Sequence, residues 1–300
     1  MSTRITLPAK ARYSFGGDEH IFVELSEEMS LEAFFKGISM CAELQRRQMP
    51  GVAEICPANS AILVKYDPDV IAPDAMLETL KNIEANLGGD SMELDTRIIE
   101  IPVYYNDPWT NETQLRFRDR HQDPSSTDLQ YAARINGYES VETFIQAHAG
   151  SPWFVSMIGF VAGLPWLYQM VERDRQIEAP KYVRPRTDTP KHTIGYGGCF
   201  SCLYAVRGAG GYQMFGITPT PIYDPKQALP YFKENRVFLK PGDIVKWKSI
   251  DRAEYDRISG EVDAGTYEGP KVRQVTFSLK DFLPNPQAYN TQLLELLYGN

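Results

Sequence analysis

The sequence lacks the features that membrane, secreted and nucleic-acid-binding proteins need. Its 300 residues contain no apolar run close to the ~20 residues that span a bilayer, and the opening MSTRITLPAKARYSF has no apolar segment of a signal peptide. Acidic residues outnumber basic ones by 39 to 31, so the net charge of −8 disfavours a protein that neutralises nucleic-acid phosphates. We therefore expect a cytoplasmic protein with no nucleic-acid or membrane partner.

Cysteine is scarce as well, because the chain has only Cys41, Cys56, Cys199 and Cys202. These are too few and too unevenly spaced for a disulfide framework in a chain of this length. The CxxC pair at 199 and 202 has no second pair or pair of histidines to complete a structural zinc site. Zinc and redox roles stay open, but we favour two small buried residues on a strand and predict no bound metal.

A hydrophobic content of 43% with 23% charged residues is typical of a globular protein, and the length allows two domains. Residues 1–105 read as strand, helix, strand, strand, helix, strand. The strand HIFVEL is followed by a helix that Ser30 caps and that carries Cys41 on its apolar face, and TRIIEIPVYY reads as the last strand. This order predicts an α+β fold that begins with a ferredoxin-like α/β sandwich.

From residue 106 the sequence changes character. Two short helices are predicted in STDLQYAARING and SVETFIQAHAG, and beyond residue 150 short apolar runs alternate with glycine and proline. Several short strands with frequent turns indicate a β-barrel or sandwich over residues 106–300, with a tail that ends in a helical pattern.

Two kinds of side chain in this second region could carry chemistry. His148 ends a predicted helix and is either a general base or a structural histidine. Arg184 and Arg186 either clamp a carboxylate or carboxyphosphate, or form surface ion pairs with Asp188 or Glu178.

The glycines in GAGGYQMFG do not form a phosphate-binding loop, because no lysine follows them and a strand, not a helix, comes next. Glycine there permits a close approach of the backbone, which fits either a loop that lines a pocket or a corner of a barrel. Tyr212 is then a pocket wall or a core residue. Ser201 has no adjacent base, so a serine hydrolase is disfavoured.

Four segments taken in order resemble one known family. They are STDLQYAA to VETFIQAHAGSPWFVSMIGFVAGLPWL, APKYVRPRTDTPKHTIGYGG, LYAVRGAGGYQMFGITPTPIYDP and FLKPGDIVKW. They are similar to motifs of the 5-oxoprolinase B-subunit family, also called allophanate hydrolase subunit 1 or the KipI family, which includes part of the carboxyltransferase domain of urea carboxylase. The resemblance implies a cyclophilin-like β-barrel after the ferredoxin-like domain.

The resemblance can be carried over residue by residue. His148 matches the family histidine before its GF strand, Arg186 the arginine of PR, Tyr204 the tyrosine of TGIYP, and Gly210 with Gly211 the glycines of PGGW. Phe200, Ser201 and Cys202 replace the family's QTG, and Tyr212 replaces tryptophan. The catalytic residues implied are His148, Arg186 and Tyr204; the substrate-binding residues implied are Phe200, Ser201, Cys202, Gly210, Gly211 and Tyr212.

The family also implies a function. We expect a subunit, inactive alone, of an enzyme that acts on a small amide, lactam or urea-like molecule, as a urea-carboxylase-type carboxyltransferase or an ATP-dependent 5-oxoprolinase. The partners implied are a homologous barrel subunit of the allophanate hydrolase subunit 2 type, with either a biotin carrier and biotin carboxylase or a third 5-oxoprolinase subunit. This chain would bind no cofactor alone, and partner subunits would carry any ATP or biotin. The alternative is a KipI-like inhibitor of a sensor histidine kinase.

Overall fold

A computed structural model describes Pro8, residues 10–87 and residues 92–299. The chain forms two compact units, Met1–Asp95 with Thr276–Asn285, and Thr96–Val275 with Pro286–Asn300. The strands are β1 (Arg12–Phe15), β2 (His20–Glu24), β3 (Val52–Ala58), β4 (Ala61–Tyr66), β5 (Glu93–Tyr105), β6 (Pro152–Ile158), β7 (Pro165–Gln169), β8 (Arg186–Thr189), β9 (Thr193–Gly197), β10 (Phe200–Leu203), β11 (Gly208–Gly210), β12 (Gln213–Ile217), β13 (Ile244–Ser249) and β14 (Lys271–Ser278). The helices are α1 (Leu31–Arg47), α2 (Pro73–Ala85), α3 (Pro108–Arg116), α4 (Asp128–Ile135), α5 (Val141–Gly150), α6 (Arg252–Asp263), α7 (Leu279–Phe282) and α8 (Pro286–Tyr298).

The first unit is built on an antiparallel sheet in the order β1-β2-β4-β3. Helix α1 begins as predicted, because the Ser30 side chain accepts a hydrogen bond from the Ala33 backbone N–H. Its apolar face is buried and includes Phe34 and Cys41. The prediction that Cys41 is a core residue is confirmed.

The last strand predicted for this sheet was placed wrongly. Residues 96–105 form most of β5, which pairs in parallel with β13 and antiparallel with β12. The position beside β2 is occupied by β1. The physical reason is visible in the burial of β5, where Ile98, Ile99, Ile101 and Val103 are all fully buried. A strand that is covered on both faces does not show the alternation of a sheet with one solvated face.

The second unit is organised by a larger sheet in the order β12-β9-β10-β7-β6-β13-β5-β14. Because β12 also pairs with β5, seven of these strands form a closed ring. The side chains inside it form a core rich in aromatic residues, with Trp153, Tyr196, Phe215 and Trp247 fully buried. Closure leaves no unpaired edge among those seven strands. The cyclophilin-like assignment remains a prediction.

Both helices predicted at the start of this region are confirmed as α4 and α5, each with a capping box at its first turn. The boundary predicted at residue 105 falls within the second unit, which starts at Thr96. A small separate sheet pairs β8 with β11 and brings Arg186 opposite Gly210.

Candidate functional site

Strand β10 divides the predicted site residues between its two faces, because side chains alternate along a strand. Ser201 is buried and points toward His148, with 3.4 Å between Ser201 Oγ and His148 Nε2. Cys202 instead packs with Tyr204 and Tyr212 in a separate cluster. The structure therefore brings the predicted residues together as two groups rather than one.

His148 lies in the core of the second unit. Its side chain is fully buried near the end of α5, and its Nδ1 is 2.8 Å from the Tyr105 hydroxyl. The Trp247 ring stacks parallel to it at 6.2 Å. Burial and the nearby Lys246 ammonium lower the pKa of His148 to about 3, so the imidazole is neutral at physiological pH. Its role as a general base stays a prediction.

Arg186 is the first residue of β8 and one of the largest fully buried side chains. Its guanidinium lies over the Tyr182 ring, 4.4 Å from the centroid, and Nη2 donates to Thr189 Oγ1 at 3.3 Å. Nε and Nη1 are buried and make no hydrogen bond of good geometry, although the guanidinium lies close enough to the Tyr182 and Tyr204 hydroxyls to oppose the rise that burial causes in the pKa of each phenol. A buried guanidinium with unmatched donors is unfavourable unless it meets an anion or another acceptor.

The alternative prediction, surface ion pairs with Asp188 or Glu178, was wrong for both arginines. Asp188 pairs with Arg116 and Arg207, and Glu178 pairs with Arg173. The exposed Arg184 pairs with Asp119. Arg186 could not reach such partners because its side chain is turned inward and is 0% exposed.

Tyr204 lies beside Arg186. Burial raises the pKa of the Tyr204 phenol, the nearby Cys202 adds to the rise, and the Arg186 charge and the Tyr212 backbone N–H oppose it. Tyr204 therefore keeps its proton at physiological pH. Its hydroxyl also lies so close to Gly210 that a Cβ built there would sit 2.4 Å from it. Glycine at position 210 thus makes room for the tyrosine, whereas Gly211 has no neighbour within 3.8 Å of such a Cβ.

Trp166, Phe200 and Tyr212 extend this group. The Trp166 ring meets Phe200 at 5.6 Å and Tyr212 at 5.5 Å, both edge-on, and Lys181 Nζ lies 5.3 Å from the Tyr212 ring centre. The Trp166 indole N–H and the Tyr212 hydroxyl are buried without a hydrogen-bond partner. We call this group the Arg186 cluster; its members are Trp166, Phe200, Cys202, Tyr204, Tyr212 and Arg186. Each unpartnered group in it can donate a hydrogen bond, which suits an acceptor-rich or anionic ligand.

Glycines on β9 shape the same group and were missed in the sequence. A Cβ at Gly197 would lie 2.4 Å from the Tyr212 ring, and a Cβ at Gly195 would lie 2.9 Å from Cys202 Sγ. These positions must be glycine for the aromatic and thiol side chains to pack against the strand. The sequence GYGG shows that glycines are concentrated here, but it does not indicate which side chains pack against them.

A buried acid behind Arg186 was also missed. Asp128, at the first turn of α4, accepts hydrogen bonds from the Tyr182 hydroxyl at 2.6 Å and from the Met214 backbone N–H at 2.6 Å. Burial raises the pKa of Asp128, and the Tyr182 hydrogen bond and the Arg186 charge oppose that rise. Tyr182 therefore links the carboxyl group and the guanidinium. An acid at a helix start is common, so the sequence carried no signal that this one is buried.

The prediction that the CxxC pair consists of two buried residues on a strand is confirmed for Cys202 on β10 but is wrong for Cys199, which is partly exposed in the turn between β9 and β10. Burial raises the pKa of both Cys199 and Cys202, which keeps them protonated. The four cysteines are free. Among the described residues no group of three or more histidine, cysteine or acidic side chains is placed to hold a metal ion.

Comparison with known proteins decides the family. Residues 11–232 match the profile of the carboxyltransferase domain, subdomain C and D. The chain belongs to this family. The relatives below show that such a domain occurs both as a separate polypeptide and as one part of a much longer protein.

Two relatives represent these two forms. The chain is 28% identical over 250 residues to the 5-oxoprolinase B-subunit of Bacillus subtilis, a match that covers 80% of this chain and 92% of that protein. It is 26% identical over 285 residues to the urea amidolyase of Lachancea kluyveri, a match that covers 92% of this chain but 15% of that protein. The chain thus corresponds to a small part of the urea amidolyase and to nearly all of the 5-oxoprolinase component.

Solved structures agree on the fold of this carboxyltransferase-family chain. The K. lactis urea amidolyase superposes with a TM-score of 0.81 at 21% identity, over 97% of this chain and 18% of that one. TTHA0988 superposes with a TM-score of 0.59 at 24% identity, over 77% of this chain and 40% of that one. None of the helices in the described part of the chain is long and apolar enough to span a membrane.

Proposed function

We propose that this chain is one subunit of a heteromeric enzyme that acts on a small amide, lactam or urea-like substrate activated by carboxylation or phosphorylation. Its family and its similarity to urea amidolyase and to a 5-oxoprolinase component support this proposal. We further propose that a homologous barrel subunit completes the active site. The observation that carries the proposal is the buried Arg186 guanidinium with two unpartnered donor groups.

Arg186 would hold the anionic group of the activated substrate. Its Nε and one Nη present the planar donor edge that matches a carboxylate or phosphate in two parallel hydrogen bonds. The stack on Tyr182 and the Asp128 carboxyl behind it fix the plane of the guanidinium. A donor fixed before the reaction stabilises developing charge without reorganising.

Tyr204 would act as the proton donor. Its hydroxyl lies beside Arg186 and its raised pKa keeps it protonated, so it can donate to a developing negative charge or a leaving nitrogen. His148 is the alternative, but it faces the core on the opposite side of β10 and its nearest polar groups are Tyr105 and Ser201. We therefore assign the role of proton donor to Tyr204. ATP or carboxybiotin, held by partner subunits, would supply the activated phosphoryl or carboxyl group.

The test is reconstitution with the homologous barrel subunit and the remaining components of the complex, followed by assays of ATP-dependent 5-oxoproline opening and of urea carboxylation. Arg186→Lys keeps the charge but loses the planar donor edge, so kcat/KM should fall by about 100-fold or more. Arg184→Lys is the matched control, because the exposed Arg184 pairs with Asp119 and should leave the rate unchanged.

If the complex that contains Arg186→Lys is fully active, Arg186 does not hold the anionic group of the substrate. If the chain binds no barrel partner and instead binds and inhibits a sensor histidine kinase, the enzyme proposal itself is wrong.

A further inference from the structure

The segment of residues 179–185, which leads into β8, is held along the Arg186 cluster by its backbone. Ala179 and Gly198 exchange two hydrogen bonds, from the Ala179 N–H at 3.0 Å and from the Gly198 N–H at 2.6 Å. Further along the segment, the Tyr182 N–H donates to the Gly211 carbonyl at 2.7 Å. The path of this backbone is therefore fixed at both of these points.

Lys181 lies between the two points, and its side chain is exposed. Its Nζ lies over the rings of Trp166 and Tyr212, 6.0 and 5.3 Å from their centres. In the described chain Lys181 forms no ion pair, whereas Arg184, the other exposed cation of the segment, pairs with Asp119. A cation–π contact of an exposed lysine is weak, so this ammonium remains available to a ligand.

The Cys202 thiol lies within the electrostatic reach of both Lys181 and Arg186. Burial raises the pKa of Cys202, and the Gly195 backbone N–H, the Arg186 charge and the Lys181 charge oppose the rise. Cys202 also packs in one cluster with Tyr212, over which Lys181 lies. Two positive charges therefore act on the same part of the cluster, one from a buried side chain and one from an exposed side chain.

The side chains around this thiol supply hydrogen-bond donors. The Trp166 indole N–H and the Tyr212 hydroxyl are buried without a partner, and Arg186 Nε and Nη1 lack an acceptor of good geometry. The Lys181 ammonium adds three more N–H groups, and neither an indole nor an ammonium can accept a hydrogen bond. Such an arrangement fits a ligand with several oxygen lone pairs and a negative charge, and a small oxyanion has both.

We propose that Lys181 is a substrate-binding residue whose ammonium, together with the Arg186 guanidinium, binds the small oxyanion of the activated substrate. This inference rests on the proposed function and adds a second cation to its anion site. An oxyanion is the chemistry that a carboxylate and a phosphate share. Arg186 offers a planar donor edge from a buried position, and Lys181 offers a compact charge on a flexible stem from the exposed side.

The alternative is a lysine that only packs on two aromatic rings. In that role its charge contributes slightly to the stability of the free chain and has no effect on a ligand. The substitution Lys181→Met distinguishes the two roles, because methionine keeps an apolar stem over the rings and removes the charge.

The test titrates the purified chain with inorganic phosphate and, separately, with bicarbonate at low ionic strength, and follows tryptophan fluorescence. Trp166 is one of four tryptophans and lies in the cluster, so Trp166→Phe should remove the response. A charged hydrogen bond at the low end of its usual strength corresponds to a factor of about ten, so Lys181→Met should raise the Kd for the oxyanion about tenfold. Lys181→Arg keeps the charge and should retain most of the affinity.

The matched control is Lys233→Met, which makes the same change in net charge. Lys233 is exposed and follows Phe232, which belongs to a different hydrophobic cluster of the same unit. This variant should bind phosphate and bicarbonate as the wild type does. If Lys181→Met lowers the melting temperature and leaves Kd unchanged, Lys181 has only a structural role and the inference is wrong.

The outcomes separate this inference from the proposed function. If Arg186→Met weakens oxyanion binding and Lys181→Met does not, the inference is wrong and the function stands. An equal loss in Lys233→Met would show a general effect of charge and would also overturn the inference. It is overturned as well if the wild-type chain binds neither phosphate nor bicarbonate. If binding depends on Lys181 as expected, but the reconstituted complex neither opens 5-oxoproline nor carboxylates urea, the oxyanion site stands and the proposed function is wrong.

Discussion

Replacing Arg186 by methionine should stabilise the isolated chain even though it removes the proposed activity. The guanidinium is fully buried and leaves Nε and Nη1 without acceptors, and each unmatched buried donor costs about 1–3 kcal/mol. Methionine has a similar length and no donors. Removing the arginine forfeits its stack on Tyr182, about 0.5–2 kcal/mol, and a long hydrogen bond to Thr189, about 0.5–1.5 kcal/mol.

The balance favours the variant by about 1 kcal/mol, because two unmatched donors outweigh one stack and one long hydrogen bond. For a unit of this size that corresponds to a rise of about 2–4 °C in melting temperature. The measurement is thermal and urea unfolding of the free chain, with Arg184→Met as the control. The exposed ion pair of Arg184 with Asp119 contributes about 0–1 kcal/mol, so that variant should hardly change.

A loss of more than about 1 kcal/mol in the Arg186→Met chain would refute the reasoning. It would mean that the attraction between the Arg186 charge and Asp128 outweighs the cost of the unmatched donors. A stabilised chain that has lost its activity in the complex would support a binding role, since functional groups are commonly retained at the expense of stability.

Three further predictions follow from the same geometry. Gly210→Ala should lower the free energy of unfolding, measured by urea titration, by about 1–3 kcal/mol, because the new Cβ would lie 2.4 Å from the Tyr204 hydroxyl. Gly211→Ala is the control and should be near neutral, because no atom lies nearer than 3.8 Å to its Cβ. The pKa of His148 falls from 6.5 to about 3 on folding, so the unfolded chain takes up the proton first and stability is lost as the pH falls from about 6.5 toward 3. His148→Asn should remove that component, up to about 1.4 kcal/mol per pH unit, from unfolding curves recorded between pH 7 and 5, and an unchanged slope would contradict the pKa shift. Burial of the Cys202 thiol predicts no reaction with iodoacetamide in the folded chain and full reaction in urea, read by mass spectrometry; rapid modification of the folded protein would show that the cluster is open.

The helices were predictable because their signals are local. Ser30 at the start of α1 and the capping boxes of α4 and α5 specify helix starts within four residues, and the apolar spacing specifies the buried face. The partner of a strand is not a local property. Residues 96–105 read correctly as a strand, but its pairing with β13 joins residues that lie about 150 positions apart and depends on the closure of the ring.

The candidate site also combines features that local sequence predicts with features that depend on tertiary structure. The sequence by itself determined the residue types and the family, since Arg186, Tyr204 and Gly210 stand in motifs that can be read along the chain. Only the tertiary structure decided that Ser201 and Cys202, one position apart, serve opposite faces of β10, and that the Arg186 side chain is fully buried. The burial of a side chain and the face toward which it points depend on which strands pair. Strand pairing is determined by the packing of the whole unit, not by the sequence neighbours of any one residue.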